Sequence, residues 1–296
     1  MTNLPVNING RILQEDQNGI HTSNRSYLYG DGVFETIRVF KGRVINFENH
    51  FHRLKEGSLA IYIDFPENFT VPFFLEKIEE ILMKSKLIEG ARVRLSIDRV
   101  AGGTYTPEGN EASYTIDVRP LKTANYELNT KGLEVDVFTD IRKQKSKLSN
   151  YKTKNGLLYI LAAIQAKQKG LQDMLITNGD MEIIESSNSN LFIVSNGVLY
   201  TPGLEYGCLA GTMRMQIINL ALANGVKVYE SPILPQNLLS ADEVFLTNAI
   251  SGVVWVSGYR TKRYFNNTSR RLIALLNDYW EDVLNPEGEN DLLSND

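Results

Sequence analysis

Apolar residues recur along this chain with two different periods, and the places where the period changes mark out its elements. Val33 to Phe40 is a β-branched and aromatic run that Lys41-Gly42 joins, as a hairpin, to Val44 to Phe47. An earlier hairpin is predicted at Asn9-Gly10, because Asn-Gly readily takes the positive φ values of a two-residue turn. Glu48 to Ile61 and Val71 to Leu87 instead space their apolar residues as helices do. In the second, Phe74, Ile78, Ile81 and Leu82, with Ser85, keep a period of roughly 3.6 residues. Strands resume at Arg92 to Ile97 and Tyr114 to Val118. This order predicts a smaller N-terminal α+β domain over residues 1–118.

Residues 119–129 carry Pro120 and little pattern, and are expected to be a linker. A larger C-terminal mixed α/β domain is expected over 130–285. It starts with a strand at Leu133 to Phe138 and continues with a helix whose apolar face is Leu157, Ile160, Leu161 and Ile164, stopped at Lys169-Gly170. Asn178-Gly179 and Asn196-Gly197 predict two more hairpins. Met213, Ile217, Leu220 and Ala221 predict a helix ending at Asn224-Gly225, and a strand at Glu243 to Thr247 and a helix at Ser269 to Leu284 follow. Residues 286–296 are rich in acids, Asn, Pro and Gly and read as a flexible tail. The fold class is therefore α/β in the broad sense, with two units.

Composition narrows the function. With 31 Lys and Arg against 35 Asp and Glu in 296 residues, the formal charge is −4. No basic excess is available to neutralise a nucleic-acid backbone, so no nucleic-acid partner is expected. The longest apolar run, Leu157 to Ile164, is far below the roughly 18 residues of a spanning helix, and no membrane association is expected. A single cysteine cannot form an intrachain disulfide, which fits a cytoplasmic location better than export.

The generic chemical templates are missing: there is no G-x-x-x-x-G-K-[ST] phosphate loop, no H-E-x-x-H, no G-x-S-x-G and no Cys or His pair at zinc spacing. No metal site is expected. His50 and His52, two residues apart on a helix, point to different sides and read as surface or packing histidines. Cys208 is given no catalytic role.

Five short strings stand out instead. They are RSYLYGDGVFETIR (25–38), NHFHRL (49–54), KTKN (152–155) before a helix, ESSNSNLF (185–192) and LAGTMR (209–214). Taken together and in this order, from about Ile8 to Trp255, they resemble the class IV, or fold-type IV, family of pyridoxal 5'-phosphate (PLP) enzymes. That family includes branched-chain and D-amino-acid aminotransferases and aminodeoxychorismate lyases.

The residues make chemical sense of that resemblance. An aldehyde cofactor needs an amine whose charge is suppressed, which Lys provides on burial or beside another cation. Lys152, three residues before Asn155, matches the family's Schiff-base lysine, and Lys154 is its rival. A phosphate dianion wants free backbone N–H groups at a helix start, as at Gly211, Thr212 and Met213. Without the neighbouring strings Gly211 would simply open a helix. The resemblance makes Arg53 the cationic partner of that phosphate. A carboxylate beside the pyridine nitrogen would keep its proton in place, and Glu185, five residues before Asn190, has the family's spacing for that role. Asn248 is a further phosphate candidate. For the substrate carboxylate the candidates are Arg38, Arg94 and Arg99, with Tyr29 and Phe34 shaping the pocket. Arg94 matches an arginine of the branched-chain enzymes, and Arg99 opens a loop that in D-specific relatives reaches the neighbouring subunit's site.

The resemblance thus implies a homodimer that binds PLP between its domains and moves an amino group between a small or branched-chain amino acid and a 2-keto acid. The alternative is an aminodeoxychorismate lyase making 4-aminobenzoate and pyruvate, to which Met213 and Asn248-Ala249 point. A non-catalytic PLP-binding relative is the third reading.

Overall fold

The computed structural model describes residues 4–14, 21–123 and 125–284, so the expected tail lies outside the described residues. The first hairpin forms as predicted: Asn9 (φ 50°) and Gly10 (φ 86°) join β1 (Pro5–Ile8) to β2 (Arg11–Gln14). A short helix, α1 (Arg25–Tyr29), is capped by the Asn24 side chain, which accepts from Tyr27 N. Lys41 (φ 45°) and Gly42 (φ 80°) then turn β3 (Gly32–Phe40) into β4 (Arg43–Val44). The strand expected to reach Phe47 stops at Val44, because Asn46 (φ 55°) breaks the extended backbone and Phe47 is buried as the first residue of α2 (Phe47–Ala60). After α3 (Val71–Ser85), β5 (Gly90–Arg99) and β6 (Ala112–Pro120) complete an antiparallel sheet of order β2-β1-β6-β5-β3-β4.

Side chains alternate across this sheet. Val33, Ile37, Val93, Leu95, Ile116 and Val118 pack under α2 and α3. The opposite face carries Phe34, Thr36 and Arg38 of β3 in register with Ser96, Arg94 and Arg92 of β5. The expected linker is partly strand, since β6 continues to Pro120; among the described residues there is no strand or helix between it and the next strand at Leu133.

The second sheet uses β7 (Leu133–Lys143), β8 (Asp173–Asn178), β9 (Ile183–Ser186), β10 (Asn190–Ser195), β11 (Val198–Thr201), β12 (Val228–Glu230), β13 (Glu243–Asn248), β14 (Gly252–Tyr259) and β15 (Lys262–Arg263). Its order is β12-β11-β10-β13-β14-β7-β8-β9, with β15 on β14. The sheet also closes on itself, because β9 pairs with β10 at one position, Glu185 opposite Asn190. That pairing gives the five-residue spacing of Glu185 and Asn190 its geometric cause. Helices α4 (Leu157–Gln168), α5 (Thr212–Ala223), α6 (Pro235–Ser240) and α7 (Asn267–Leu284) follow the predicted positions, apart from α6, which the sequence pattern did not signal. Helices α5 and α7 pack on Phe192 and Phe245.

Two further local expectations fail. The turn after β8 takes its positive φ at Met181 (65°), not at Gly179, so the hairpin loop is longer than two residues. On α4, Leu157, Ile160 and Ile164 are 67%, 55% and 47% exposed, and the chain buries Ala162 and Ala166 instead. The apolar period was real, but among the described residues nothing covers this face. Among the described residues no helix is long and apolar enough to cross a membrane.

Candidate active site

The segment containing Lys152 is stitched to the start of β3. Phe34 N donates to Lys152 O and Lys154 N donates to Gly32 O, each at 2.9 Å. This fixes the backbone on both sides of Lys152 and leaves its side chain at the junction of the two sheets. Lys152 Nζ lies 4.7 Å from the centroid of the Phe34 ring. Among the described residues it has no hydrogen bond or ion pair. Burial pushes its pKa down to about 8, and Arg53 and Arg94 add to the effect while Glu35 and Glu185 oppose it. Lys154 is committed elsewhere, with its Nζ 2.5 Å from Asp98 Oδ1.

Beneath Lys152 lies a buried network that the sequence reading missed. Glu35, on the helix-covered face of β3, accepts from Arg53 Nε (2.7 Å), Arg53 Nη2 (2.5 Å) and His50 Nδ1 (2.6 Å). Burial alone would raise the carboxyl pKa, but the charge of Arg53 and the bond from His50 hold it down to about 2. Because a carboxylate only accepts, His50 carries its proton on Nδ1. Burial also holds His50 below its usual pKa, and its bare Nε2 accepts from Thr212 Oγ1 at 3.3 Å. His50 is therefore no surface or packing histidine: it sits at i, i+3 to Arg53 on the same face of α2. That spacing was the available signal.

Arg53 Nη1 reaches across to the Ala210 carbonyl at 2.7 Å, at the turn that opens α5. This turn is held residue by residue. Asn150 Nδ2 donates to Cys208 O and Ala210 N donates to Asn150 O; Glu185 Oε2 accepts from Leu209 N, and Asn190 Nδ2 donates to Leu209 O. A Cβ on Gly211 would fall 1.9 Å from Asn190 Oδ1, so only glycine fits. No side chain caps α5, and the N–H groups of Thr212 and Met213 have no acceptor among the described residues. The Met213 side chain belongs to the apolar cluster with Phe245 and Ile217. The lone Cys208 is fully buried, its pKa pushed up to about 12 by that burial.

Glu185 is 3% exposed. Its Oε1 accepts from Lys143 Nζ (2.6 Å) and Tyr159 OH (2.9 Å), and its Oε2 from Leu209 N (2.8 Å). A carboxylate has about four acceptor positions, so one remains, on Oε2. Tyr159 and Lys143 carried no signal beyond their residue type.

The substrate candidates divide. Arg94 stacks on Phe34, 3.7 Å from guanidinium carbon to ring centroid, and is close enough to Lys152 to lower its pKa. Arg38 does not fit the expected role: its guanidinium donates to the carbonyls of Thr123, Asn125 and Ile250, and it fastens the linker to the second sheet. Arg99 is likewise spent, on Asp31, Asn110 and the carbonyls of Tyr62 and Ile61. Asn248 is also corrected. Its Oδ1 accepts from Ile250 N and Ser251 N and its Nδ2 donates to Ser189 Oγ, so this side chain shapes its own turn. Tyr29 packs 5.4 Å from Tyr105 and under Arg25, facing the 100–107 loop.

An unpaired, largely buried amine, bare amides at a helix start next to an arginine, and a buried carboxylate with one free acceptor position form one donor and acceptor set. It suits a ligand bearing an aldehyde, a phosphate and a protonated ring nitrogen. PLP is such a ligand, and these residues fit it.

Comparison with known proteins points the same way. The profile of the family described as "Amino-transferase class IV" matches residues 32–259. A Methanocaldococcus jannaschii protein described as a "Putative branched-chain-amino-acid aminotransferase" is 30% identical, over 85% of this chain and 86% of its own. An aminodeoxychorismate lyase from Vibrio harveyi is 29% identical, over 82% and 88%. The fold matches that of the branched-chain aminotransferase of Thermoproteus uzoniensis, solved with norvaline. The TM-score is 0.86 at 24% identity, covering 98% of this chain and 97% of that one.

Proposed function

Because the chain belongs to the class IV aminotransferases, a PLP-dependent family, we propose that it is an aminotransferase moving an amino group between a small or branched-chain amino acid and a 2-oxo acid. The observation that carries this reading is Lys152, an amine with a pKa near 8 and no partner of its own among the described residues. Arg53 and the amides of Thr212 and Met213 would hold the phosphate, Glu185 the ring nitrogen, and Lys152 the aldehyde carbon. When bound, PLP supplies the aldehyde and an electron-withdrawing ring. With its pKa near 8, Lys152 Nζ would be basic enough to take a proton from the substrate's α-carbon and hand it back. Arg94 orients the substrate through a carboxylate, and Phe34 and Tyr29 bound its pocket.

Two observations from the sequence and its relatives favour aminodeoxychorismate lyase as the second reading: the Vibrio harveyi relative and the Asn248-Ala249 pair. Met213 no longer weighs in its favour, because its side chain packs into the core. The exposed α4 stripe of Leu157, Ile160 and Ile164 supports the homodimer reading, since a second copy would cover it. Sedimentation of the purified protein tests that.

The function is tested by mixing the protein with PLP and L-alanine, L-leucine, L-glutamate or D-alanine and watching for conversion of the cofactor to its pyridoxamine form. Conversion with any of them is the expected result. No conversion, together with 4-aminobenzoate release from aminodeoxychorismate, overturns it for the lyase. A Lys152→Ala protein with the same absorbance as the wild type would leave only a non-catalytic binder.

A further inference from the structure

A second lysine stands on the same face as Lys152. Thr153 pairs with Val33, and the backbone bonds on either side of that bridge bring Lys152 opposite Phe34 and Lys154 opposite Gly32. Side chains alternate along an extended segment, so Lys152 and Lys154 both leave on the face of Phe34 and Gly32. Their Cα atoms are about 6.6 Å apart, close to the reach of a lysine's four-carbon stem. Their surroundings differ. Lys152 Nζ lies over the Phe34 ring, whereas Lys154 Nζ reaches across Gly32 to Asp98, the register partner of Gly32 on β5. A Cβ on Gly32 would fall 2.2 Å from Asp98 Oδ1, so a glycine here is what lets the pair close. The Lys154 and Asp98 side chains are only 16% and 12% exposed. Burial and the charge of Arg94 favour the neutral amine at Lys154, and Asp98, with Asp117 behind it, opposes them.

We propose that Asp98 is a positioning residue that directs the aldehyde to Lys152 by holding Lys154 charged and turned away. This rests on the reading of Lys152 as the cofactor-bearing amine. The bond at issue forms between a neutral amine nitrogen and the aldehyde carbon, and the carbonyl oxygen leaves as water. An amine that keeps its proton does not compete for that carbon. A half-buried lysine two residues from Lys152 on the same face would otherwise meet the same requirement. Asp98 removes the competitor in two ways: its charge favours the ammonium form, and the ion pair points Nζ across β3 to β5 instead of along β3 to Phe34. With the carboxylate gone, burial and Arg94 are left to strip the proton from Lys154. Its stem is then long enough to reach the carbon that Lys152 takes in the wild type.

The test maps the pyridoxyl label after incubation with PLP and borohydride reduction, with circular dichroism to show that each variant is folded. Wild type is expected to carry the label on Lys152, and Lys152→Ala to leave Lys154 unlabelled. The double variant, Lys152→Ala with Asp98→Asn, is expected to carry at least about tenfold more label on Lys154 than Lys152→Ala does, because an adjacent opposite charge changes an amine's neutral fraction by about ten- to a thousandfold. Asp98→Glu in place of Asp98→Asn keeps the charge and removes most of that label. Wild-type protein without cofactor supplies a measurement that needs no variant: brief acetylation near pH 8 should modify Lys152 at least about tenfold faster than Lys154. Lys154 labelled equally in Lys152→Ala and in the double variant, no label on Lys154 in a folded double variant, or equal acetylation of the two lysines overturns the proposal. Mapping of the wild type separates the failures. A labelled Lys152 together with an unlabelled Lys154 in the double variant sinks only the role of Asp98, and an unlabelled wild type sinks the cofactor reading and the role of Asp98 with it.

Discussion

Replacing Glu35 with Gln keeps the shape of the buried network and removes its only negative charge. Glu35 is 1% exposed and faces an Arg53 side chain that is 9% exposed, with three donors within 2.7 Å. Removing one partner from a buried ion pair costs about 3 to 5 kcal/mol, because the other charge is left uncompensated. The carboxamide oxygen can still accept one bond, which puts the expectation at the lower end, about 3 kcal/mol. That is a large fraction of the roughly 5 to 15 kcal/mol that holds a domain together. The assay is urea unfolding of the cofactor-free protein at pH 7, followed by fluorescence and circular dichroism.

The pH dependence of Glu35→Gln gives a second handle. The Glu35 carboxyl titrates near 2 in the fold against 4.5 in its absence. The wild-type advantage over the variant is therefore full above about pH 4.5 and fades as pH falls towards 2. Glu35 also raises the pKa of Lys152, so the variant should make that amine reactive at lower pH than the wild type. A loss below about 1 kcal/mol at pH 7, or an upward move in the pH at which Lys152 is labelled, would refute the reasoning.

Other consequences follow from the same contacts. Lys152 titrates near 8 in the fold and near 10.5 when unfolded, so the unfolded chain holds more protons between those values. Cofactor-free protein should gain stability as pH rises through that window, and Lys152→Met should not; parallel melting curves from pH 7 to 10.5 check it. Tyr159→Phe removes one donor from the Glu185 carboxylate and should cost about 1.5 to 3 kcal/mol in urea unfolding. The same variant should also show a changed fluorescence-titrated affinity for PLP. Gly211→Ala forces a methyl group to within 1.9 Å of Asn190 Oδ1 unless the turn shifts, so PLP and inorganic phosphate should both bind more weakly while the protein remains folded. Lys154→Ala leaves the pyridoxyl label on Lys152, as peptide mapping after borohydride reduction would show.

The chemistry-bearing strings were legible in the sequence because cofactor-type sites make local demands. A glycine was needed where Asn190 leaves no room for a Cβ, and an acid and an amide had to sit five residues apart where β9 pairs with β10. Hairpins at Asn9-Gly10, Lys41-Gly42 and Asn196-Gly197 were equally local, because positive φ is a property of one or two residues. Arginine assignments were not local. Arg38, Arg94 and Arg99 look alike along the strands, and only the three-dimensional neighbours separate two main-chain fasteners from the one stacked beside Lys152. The same holds for His50, whose partners Glu35 and Thr212 lie 15 and 162 residues away in sequence. Sequence by itself determined which residues could meet the ligand and where the chain must turn, since these depend on side-chain type and short-range sterics. Tertiary structure decided which charges are neutralised and which are left over, because that balance is struck between strands and helices that the chain brings together from far apart.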